Sequence, residues 1–316
     1  MIGRENCGYF SAADARRARF LSDLRGVRRD YKRYTGSPLR YAGGKSLAVG
    51  HVIAHIPAGV RRLVSPFIGG GSVEVACARE LGMEVFGYDI FDILANYWQY
   101  QTARPKALHT ALEKIAPTRE NYARVKDELR AHWRGEKRLG KKQLAVNYYF
   151  NHNLSYGPGF LGWMSKIYEE PARYFRMLKK VRDFRPGAFR VECADFAAAI
   201  ARHPRDFLYC DPPYFLGGDS KMFRGIYPQR NFPVHHDGFP HEKLRDILHS
   251  HEGGWVLSYN DCSTIRKWYK DFRVVKVSWQ YTLGQGETRI GFNRVNGLNG
   301  ATNHVKQSHE LLIIKE

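Results

Sequence analysis

The chain lacks long apolar stretches: it has no run of about 18 apolar residues of the kind that a membrane-spanning helix requires. Its mean hydropathy is −0.49. The segment from Met1 to Asn6 also lacks the apolar core of a secretory signal peptide. We therefore expect neither a membrane span nor a secretion signal.

Cysteine is scarce. The 5 cysteines form an odd, scattered set without any Cys-x-x-Cys spacing, which fits reduced thiols in a cytoplasm. We therefore expect a cytoplasmic protein. Several histidines cluster near position 240, but their spacing matches no zinc template, so we expect no metal and solvated side chains there. These histidines are His235, His236, His241, His249 and His251.

Acidic residues are few compared with basic ones. The chain has 31 Asp and Glu against 50 Lys and Arg, which gives a formal net charge of +19 and a pI of about 9.8. Such an excess favours a polyanionic partner. An aromatic content of 14% and scattered glycine turns indicate a folded, enzyme-like domain rather than a cationic tail. At 316 residues the chain can bury a full core, and we expect one catalytic domain with an insertion.

The most informative segment is Asp211-Pro212-Pro213-Tyr214, which follows an apolar stretch that predicts a strand from Phe207 to Cys210. Proline fixes φ and has no backbone N–H, so this corner presents mainly acceptors: the Asp211 carboxylate and the Pro212 carbonyl. Two acceptors that hold the hydrogens of a planar amine, such as the exocyclic amine of adenine, would expose its lone pair. Tyr214 could stack on the base. The alternative is an ordinary surface turn, because Asp and Pro are common in turns.

A second pattern indicates a nucleotide-like ligand. A predicted strand from Arg61 to Phe67 leads into a glycine turn, residues 68–72, and a helix opening from Val73 to Leu81. This arrangement lets backbone approach a ligand closely. The next apolar run ends at Asp89, about 20 residues past the turn, where a carboxylate can accept hydrogen bonds from ribose hydroxyls. Upstream, the segment from Arg40 to Lys45 combines an aromatic ring, a glycine turn and a cation; its alternative role is a helix-opening loop with a solvated lysine.

With these segments in this order, the chain resembles the Dam-like amino-methyltransferases that act on adenine in DNA. The matching motifs are Tyr41 to Lys45, Pro66 to Ser72, Asp89-Ile90 and Asp211 to Tyr214. Weaker matches are Cys193 to Phe196, Leu257 to Asp261 and Glu310 to Ile313. The resemblance runs from about Ser37 to the C-terminus. No target sequence is carried over, because the segment from Asn151 to Trp163 has its own sequence.

The resemblance implies an α/β fold, with a Rossmann-like S-adenosylmethionine methyltransferase sheet and a mainly helical, inserted target-recognition domain. It implies S-adenosylmethionine as cofactor, with Asp89 on the ribose, Asp195 on the adenine amine and the glycine turn beside the amino-acid part. The catalytic residues would be Asp211, Pro212, Pro213 and Tyr214. The cofactor-binding residues would be Tyr41, Lys45, Phe67, Gly69, Gly71, Ser72, Asp89, Ile90, Asp195, Phe196 and Asp211.

The same motif order divides the chain into a basic N-terminal extension, 1–36, a catalytic domain, 37–101 and 190–316, and an inserted recognition domain, 102–189. The insertion has basic helical sequence followed by a polar, aromatic loop, which suits phosphate contact, base-edge hydrogen bonding and stacking on double-stranded DNA. Alternatively, these residues form a helical subdomain's own core and caps. The residues predicted to contact DNA are Lys141, Lys142, Asn151, Asn153, Ser155, Tyr156 and Trp163.

Several further expectations stay open at this level. The N-terminal extension is either an arm on DNA phosphates or a helix packed by Phe20, Leu21 and Leu24. The loop from Phe215 to about Pro240 could close over a flipped nucleotide, and 284–309 could order on DNA. Cys210 could be a nucleophile, but cytosine methylation uses a Pro-Cys pair, so a packing role is favoured. Methylation of RNA adenine or of a protein glutamine amide, and a catalytically silent DNA-binding module, are the alternative functions. A monomer is the expected state.

Overall fold

The structure is a computed structural model that describes residues 12–27, 30–157, 159–219, 238–277 and 310–316. Within this part a single sheet contains seven strands in the order β3-β2-β1-β4-β5-β7-β6. β1 to β5 are parallel where they pair, and β7 runs antiparallel to both β5 and β6. The strands are β1 (Arg62–Ser65), β2 (Glu84–Asp89), β3 (Phe189–Cys193), β4 (Phe207–Cys210), β5 (Trp255–Asn260), β6 (Arg273–Val277) and β7 (Glu310–Lys315).

The central strands are buried along nearly their whole length, since parallel strands are covered on both faces and read as apolar runs. The strand order reverses at β1, which pairs with β2 on one side and with β4 on the other. At such a point the loops that follow the two flanking strands separate, which leaves a crevice at the carboxyl ends. The α/β sheet predicted from the sequence is therefore confirmed, and its binding crevice lies where β1, β2 and β4 end.

Eleven α-helices are assigned in the described residues, and α5 to α8 occupy the predicted insertion. The helices are α1 (Ala12–Leu24), α2 (Val49–Ala54), α3 (Ser72–Arg79), α4 (Asp92–Ala103), α5 (Pro105–Glu113), α6 (Arg119–Trp133), α7 (Lys141–Leu154), α8 (Pro171–Arg182), α9 (Phe196–Ala201), α10 (His241–Ser250) and α11 (Ser263–Trp268), with a 3₁₀ helix at Lys166–Tyr168.

The insertion shares its core with the sheet. Tyr97 of α4 stacks on Tyr149 of α7, with ring centroids 5.9 Å apart, and one hydrophobic cluster includes residues of β1, β2 and α4 to α8. The packing is therefore continuous across the boundary predicted at 101/102. That 102–189 recognises DNA stays a prediction.

The described part of the N-terminal extension packs on the catalytic domain. Leu24 is buried, and Phe20 and Leu21 pack against the core. The Arg17 guanidinium donates hydrogen bonds to the carbonyls of Ile53 (3.2 Å) and Ala54 (2.7 Å) at the end of α2, where a cation offsets the helix dipole. These contacts support the packed-helix alternative for α1. Packing also continues past it, since Tyr31 and Tyr34 are buried. The division at residue 36 stays a prediction.

Two loops predicted to act at the DNA fall largely outside the described residues. The segment from Phe215 to Pro240 is described at 215–219 and 238–240 only, and 284–309 lies outside the described residues altogether. In the described part, no helix is long and apolar enough to cross a membrane.

Candidate active site

A single cavity lies beyond the carboxyl ends of β1, β2 and β4, in the crevice at the reversal of strand order. Three segments that are far apart in sequence line it: Tyr41 to Lys45, Pro66 to Glu74 and Asp211 to Tyr214. Every residue predicted to bind a cofactor or to act in catalysis lines this one cavity. These are Tyr41, Lys45, Phe67, Gly69, Gly71, Ser72, Asp89, Ile90, Asp195, Phe196, Asp211, Pro212, Pro213 and Tyr214.

The glycine turn between β1 and α3 is held by a carboxylate at the end of β2. Gly69 and Gly71 have φ of 44° and 61°, in the left-handed region that favours glycine. Asp89 accepts hydrogen bonds from the backbone N–H of Gly69 (3.2 Å) and of Phe91 (3.0 Å). A carboxylate offers about four acceptor sites, so Asp89 can support the turn and still accept from a ligand.

Tyr41 lies against the glycine turn. A Cβ added at Gly70 would stand 2.5 Å from Cβ of Tyr41, so only glycine allows this approach. The Tyr41 ring stacks on His152 of α7, with centroids 5.5 Å apart, and His152 stacks on Tyr148 at 5.0 Å. Burial lowers the pKa of His152 to about 3, so this imidazole is neutral. The cavity wall is thus joined to the predicted recognition region, a connection that the sequence did not predict.

The polar centre of the cavity is an ion pair between Lys45 and Asp211. The Lys45 ammonium lies 2.7 Å from Oδ1 and 2.9 Å from Oδ2 of Asp211, with side-chain exposures of 5% and 19%. It also donates to the Gly43 carbonyl and lies 4.9 Å from the Tyr214 ring centroid. The alternative of a solvated Lys45 is therefore wrong. Burial raises the pKa of Asp211, while the Lys45 charge lowers it.

Two residues that the sequence placed in weaker motif matches support the Asp-Pro-Pro-Tyr corner from behind. Glu310, buried at the start of β7, accepts a hydrogen bond from the Tyr214 hydroxyl. Asn260, at the end of β5, accepts from the Phe215 N–H (2.9 Å) and donates to the Phe215 carbonyl (2.8 Å). The corner therefore rests on side chains from β5 and β7.

Glu74 is a cavity residue that sequence reasoning missed. It lies on α3, is 2% exposed and accepts a 2.6 Å hydrogen bond from the Ser65 hydroxyl. Burial raises its pKa to about 7. Its position inside the apolar run Val73-Glu74-Val75-Ala76 was a signal, because a buried carboxyl is rare without a partner or a function.

The apolar part of the cavity is aromatic. Phe67, Phe196 and Phe239 form a cluster with centroids 5.4 to 5.7 Å apart. Asp195 precedes Phe196 and accepts from the Ala197 N–H (2.9 Å) as the N-cap of α9. One of its carboxylate oxygens thus has a structural role beside any ligand contact.

The buried thiol of Cys210 does not suit nucleophilic catalysis. Burial is the main cause that raises its pKa far above the ordinary value, and the Asp211 charge adds to it. Since the thiolate is the reactive form, the packing role is supported.

The predicted DNA-binding residues separate into two groups, and the structure corrects one of them. Asn151, Asn153 and Ser155 are fully buried. Asn151 accepts from the Leu161 N–H (2.8 Å), Asn153 from the Arg40 N–H (2.8 Å), and Ser155 from the Gly159 N–H (2.9 Å). In this conformation they cannot touch a DNA base; they hold the chain around α7, as the alternative of core and caps proposed.

The second group is exposed. Tyr156 and Trp163 are each 81% exposed. Their backbones are paired, because the Tyr156 N–H donates a hydrogen bond to the Trp163 carbonyl. The Lys126 ammonium lies 4.9 Å from a Trp163 ring centroid. Lys141 and Lys142 are exposed at the start of α7. Contact of these four residues with DNA stays a prediction.

Among the described residues, no group of three or more His, Cys, Asp or Glu side chains is arranged to hold a metal ion. Of the described histidines of the predicted cluster, His251 is buried, His241 is half-buried and His249 is exposed as expected, and all three make protein contacts. His241 pairs with the Tyr259 hydroxyl, His249 with the Trp268 carbonyl and His251 with the Asp206 carbonyl. His235 and His236 lie outside the described residues.

Comparison with known proteins agrees with this site. The sequence model of the D12 class N6 adenine-specific DNA methyltransferase family matches residues 41–283, a span that contains the three cavity-forming segments. A protein of Escherichia phage P1 named DNA N-6-adenine-methyltransferase is 25% identical over 267 residues, covering 80% of this chain and 34% of its own length. The retron Ec67 DNA adenine methylase of Escherichia coli is 28% identical over 280 residues, covering 79% and 87%. This chain thus spans about a third of the phage protein.

Proposed function

Since this chain belongs to the D12 class N6 adenine-specific DNA methyltransferase family, we propose that it transfers a methyl group from S-adenosylmethionine to the exocyclic amine of adenine in double-stranded DNA. The observation that carries the proposal is the single cavity that joins the glycine turn and Asp89 to the Asp-Pro-Pro-Tyr corner. A site that holds a methyl donor and an acceptor together would meet the main requirement of group transfer, which is positioning.

The cavity residues suit the cofactor in three ways. Asp89 has acceptor capacity for ribose hydroxyls, the glycine turn allows close backbone approach, and Phe67 and Phe196 offer apolar faces. Bound there, S-adenosylmethionine would supply an electrophilic methyl group. Asp195 is the proposed partner of the cofactor's adenine amine. Tyr41 and Lys45 are the residues proposed to close the site.

The corner suits an amine acceptor. Asp211 and the Pro212 carbonyl are the proposed acceptors for the two amine hydrogens, and their pull would expose the nitrogen lone pair. Because burial raises the pKa of Asp211, its carboxylate is also a better acceptor for the proton that the methylated amine releases. Lys45 holds this carboxylate through contacts to both of its oxygens. Catalysis would come mainly from positioning in a site shielded from water.

The DNA must deliver its adenine to this site. A base inside a duplex is inaccessible, so the nucleotide would be flipped out at a cost of a few kcal/mol, into the pocket that Tyr214 lines. The basic balance of the chain suits the phosphate backbone. Tyr156 and Trp163 are the proposed base-contacting residues, and Lys126, Lys141 and Lys142 the proposed phosphate contacts. We place the activity in the cytoplasm, with the cell's DNA.

The test is transfer of a labelled methyl group from S-adenosylmethionine to defined substrates. Double-stranded DNA should accept label at adenine N6, identified after digestion to nucleosides. RNA and a protein glutamine amide serve as competing acceptors for the alternative methyltransferase functions. Label in these acceptors but not in DNA would reject the proposed substrate. Tight DNA binding without transfer to any acceptor would instead favour a catalytically silent DNA-binding module.

A further inference from the structure

The cavity has a charge opposite to that of the chain. Among the described residues that line it, four are carboxylic acids and one is a basic residue, whereas the whole chain has a formal net charge of +19. The four acids are Glu74, Asp89, Asp195 and Asp211, and the basic residue is Lys45. Lys45 lies 2.7 Å from Asp211, so its charge is largely matched by one of the four. A cationic ligand would therefore be favoured in this cavity.

Glu74 differs from the other three acids in its surroundings. Asp211 has the ammonium of Lys45, Asp89 accepts from two backbone N–H groups, and Asp195 caps α9. Glu74 is 2% exposed, and both donors found for its carboxyl are neutral: the Ser65 hydroxyl and the backbone N–H of Glu74 itself. A buried carboxylate without a charged partner is costly, so its ionisation depends strongly on which charge enters the cavity.

The charged and titratable groups around Glu74 set this balance. The charge of Asp211 opposes ionisation of Glu74, and the charge of Lys45 favours it. Cys77, on the same helix, and Tyr209 of β4 are buried and keep their protons, because burial raises the pKa of each. With a pKa raised to about 7 by desolvation, Glu74 changes its protonation near neutral pH.

We propose that Glu74, as a lining residue of the cavity, enables it to distinguish the positively charged methyl donor from its neutral product, being ionised when the sulfonium is bound and protonated when the thioether is bound. This inference rests on the proposed function. Methyl transfer breaks the sulfur–methyl bond and forms the nitrogen–methyl bond, so the cofactor loses one positive charge while the amine releases a proton. An ionised Glu74 then faces a neutral thioether, which weakens retention of the product until Glu74 takes up a proton from solvent.

Calorimetry with two ligands tests the proposal without relying on turnover. S-Adenosylmethionine and S-adenosylhomocysteine are titrated into the full-length protein between pH 6 and pH 8, in two buffers of different ionisation enthalpy. Wild type should release more protons on binding the sulfonium than on binding the thioether. As the pH rises toward the pKa of Glu74, the preference of wild type for the sulfonium should increase about tenfold per pH unit. Above that pKa the preference should level off.

Glu74→Gln should remove most of this behaviour. Its preference should fall at least about tenfold at pH 8 and become nearly independent of pH, because a neutral amide cannot exchange a proton. Titration of the ligands' own amino groups is common to both proteins and cancels in the comparison. A third ligand, an analogue with a protonated amine in place of the methylsulfonium, should behave like S-adenosylmethionine, which identifies charge rather than the methyl group as the feature recognised.

Two further variants serve as a perturbation and as a matched control. Ser65→Ala removes the donor that stabilises the Glu74 carboxylate, so the pH profile of the preference should move to higher pH. Glu84→Gln removes a carboxyl at the first residue of β2, away from the cavity, where Glu84 pairs with Arg62 at 3.2 Å on the surface. This control should leave both affinities and their ratio unchanged.

The outcomes separate the two proposals. If both ligands bind wild type and Glu74→Gln with the same ratio at every pH, the role of Glu74 is rejected while cofactor binding stands. If neither ligand binds wild type, the proposed function fails and this inference fails with it. If Glu74→Gln does not fold, as shown by its melting curve, the Ser65→Ala profile decides, and an unshifted profile rejects the proposal.

Discussion

Glu310 and Asn260 are directly opposite each other in the antiparallel pairing of β7 with β5. Glu310 contacts the last residue of the Asp-Pro-Pro-Tyr corner, and Asn260 contacts the residue that follows it. Glu310 accepts from the Tyr214 hydroxyl, and Asn260 binds both backbone groups of Phe215. The register of these two strands therefore determines the positions of Tyr214 and Phe215, where the chain leaves the Asp-Pro-Pro-Tyr segment. The antiparallel strand β7 therefore both belongs to the sheet and supports the wall of the cavity.

We predict that Glu310→Ala lowers the rate of methyl transfer about tenfold and the free energy of unfolding by about 1–3 kcal/mol, since the Tyr214 hydroxyl loses its buried acceptor. Glu310→Gln, which keeps a carbonyl acceptor, should recover most of the rate. Single-turnover methylation and urea unfolding measure the two quantities. A Glu310→Ala protein with the full rate would show that the orientation of Tyr214 does not matter.

Asp211→Ala should abolish methyl transfer, to below about a hundredth of wild type, while leaving cofactor and DNA affinity within about tenfold, because the carboxylate acts on the amine in the transition state. It should also lower the free energy of unfolding by about 3–5 kcal/mol, since Lys45 loses the carboxylate of a buried pair.

Asp211→Asn provides the control for this destabilisation, because it keeps an acceptor oxygen near Lys45 with nearly the same shape. Single-turnover rates and denaturant unfolding are measured on both variants. Turnover of Asp211→Ala above about a hundredth of wild type would contradict the catalytic assignment.

Much of the site could be predicted because its signals are local. Two consecutive prolines remove two backbone donors whatever surrounds them, and a glycine turn between a strand and a helix allows close approach of backbone. Asp89 could be predicted because β2 follows directly after α3. A carboxylate at the last residue of β2 therefore lies beside the glycine turn that precedes α3. These features depend on backbone geometry that a few residues determine.

The remaining parts depend on packing between segments distant in sequence. Asn153 has the composition of a base-contacting residue, but its side chain holds Arg40, which lies 113 residues earlier. Whether a polar residue on α7 faces solvent or the core depends on how α7 packs against α4 and the Tyr41 segment, and periodicity did not resolve this in a helix with buried residues on every side. Glu74 was missed for the same reason, since its environment is formed by β1 and β4.

Glu74 should make the stability of the unliganded protein depend on pH. Its folded-state pKa, about 7, lies above the ordinary value of 4.5, so the stability that it contributes is present below about pH 4.5 and is lost as pH rises through 7. The loss attributable to this group is about 3 kcal/mol at most. Glu74→Gln should lack it. Urea unfolding of both proteins at pH 5 and pH 8 measures the difference; an equal pH dependence would contradict the ionisation of Glu74 in this range.

Asp89→Ala should weaken S-adenosylmethionine binding by about 1.5–3 kcal/mol, the scale of hydrogen bonds to a charged group. Part of this effect would come from the glycine turn, since Asp89 also accepts from the Gly69 and Phe91 N–H groups. Calorimetry measures the affinity, with Asp92→Asn as control, because Asp92 is exposed at the start of α4 and accepts from the Ile93 N–H instead. Unchanged affinity of Asp89→Ala would mean that the ribose site lies elsewhere.

The last prediction separates base reading from phosphate contact. Tyr156→Ala and Trp163→Ala should change which DNA sites are methylated, because both rings are 81% exposed and base contacts specify sequence. Lys141→Gln with Lys142→Gln should weaken binding to all sequences alike and reduce the log-log salt slope by up to about 1.8, since each phosphate contact contributes about 0.9.

Sequencing of methylated adenines in DNA from expressing cells, together with binding titrations over a range of salt, provides both readouts. Ile167→Ala, which removes an exposed apolar side chain from the same region, is the matched control and should change neither. If the aromatic variants methylate the same motif with the same preference as wild type, the exposed pair does not read sequence. If the lysine variants keep the full salt slope, the phosphate contacts lie on another surface of this basic chain.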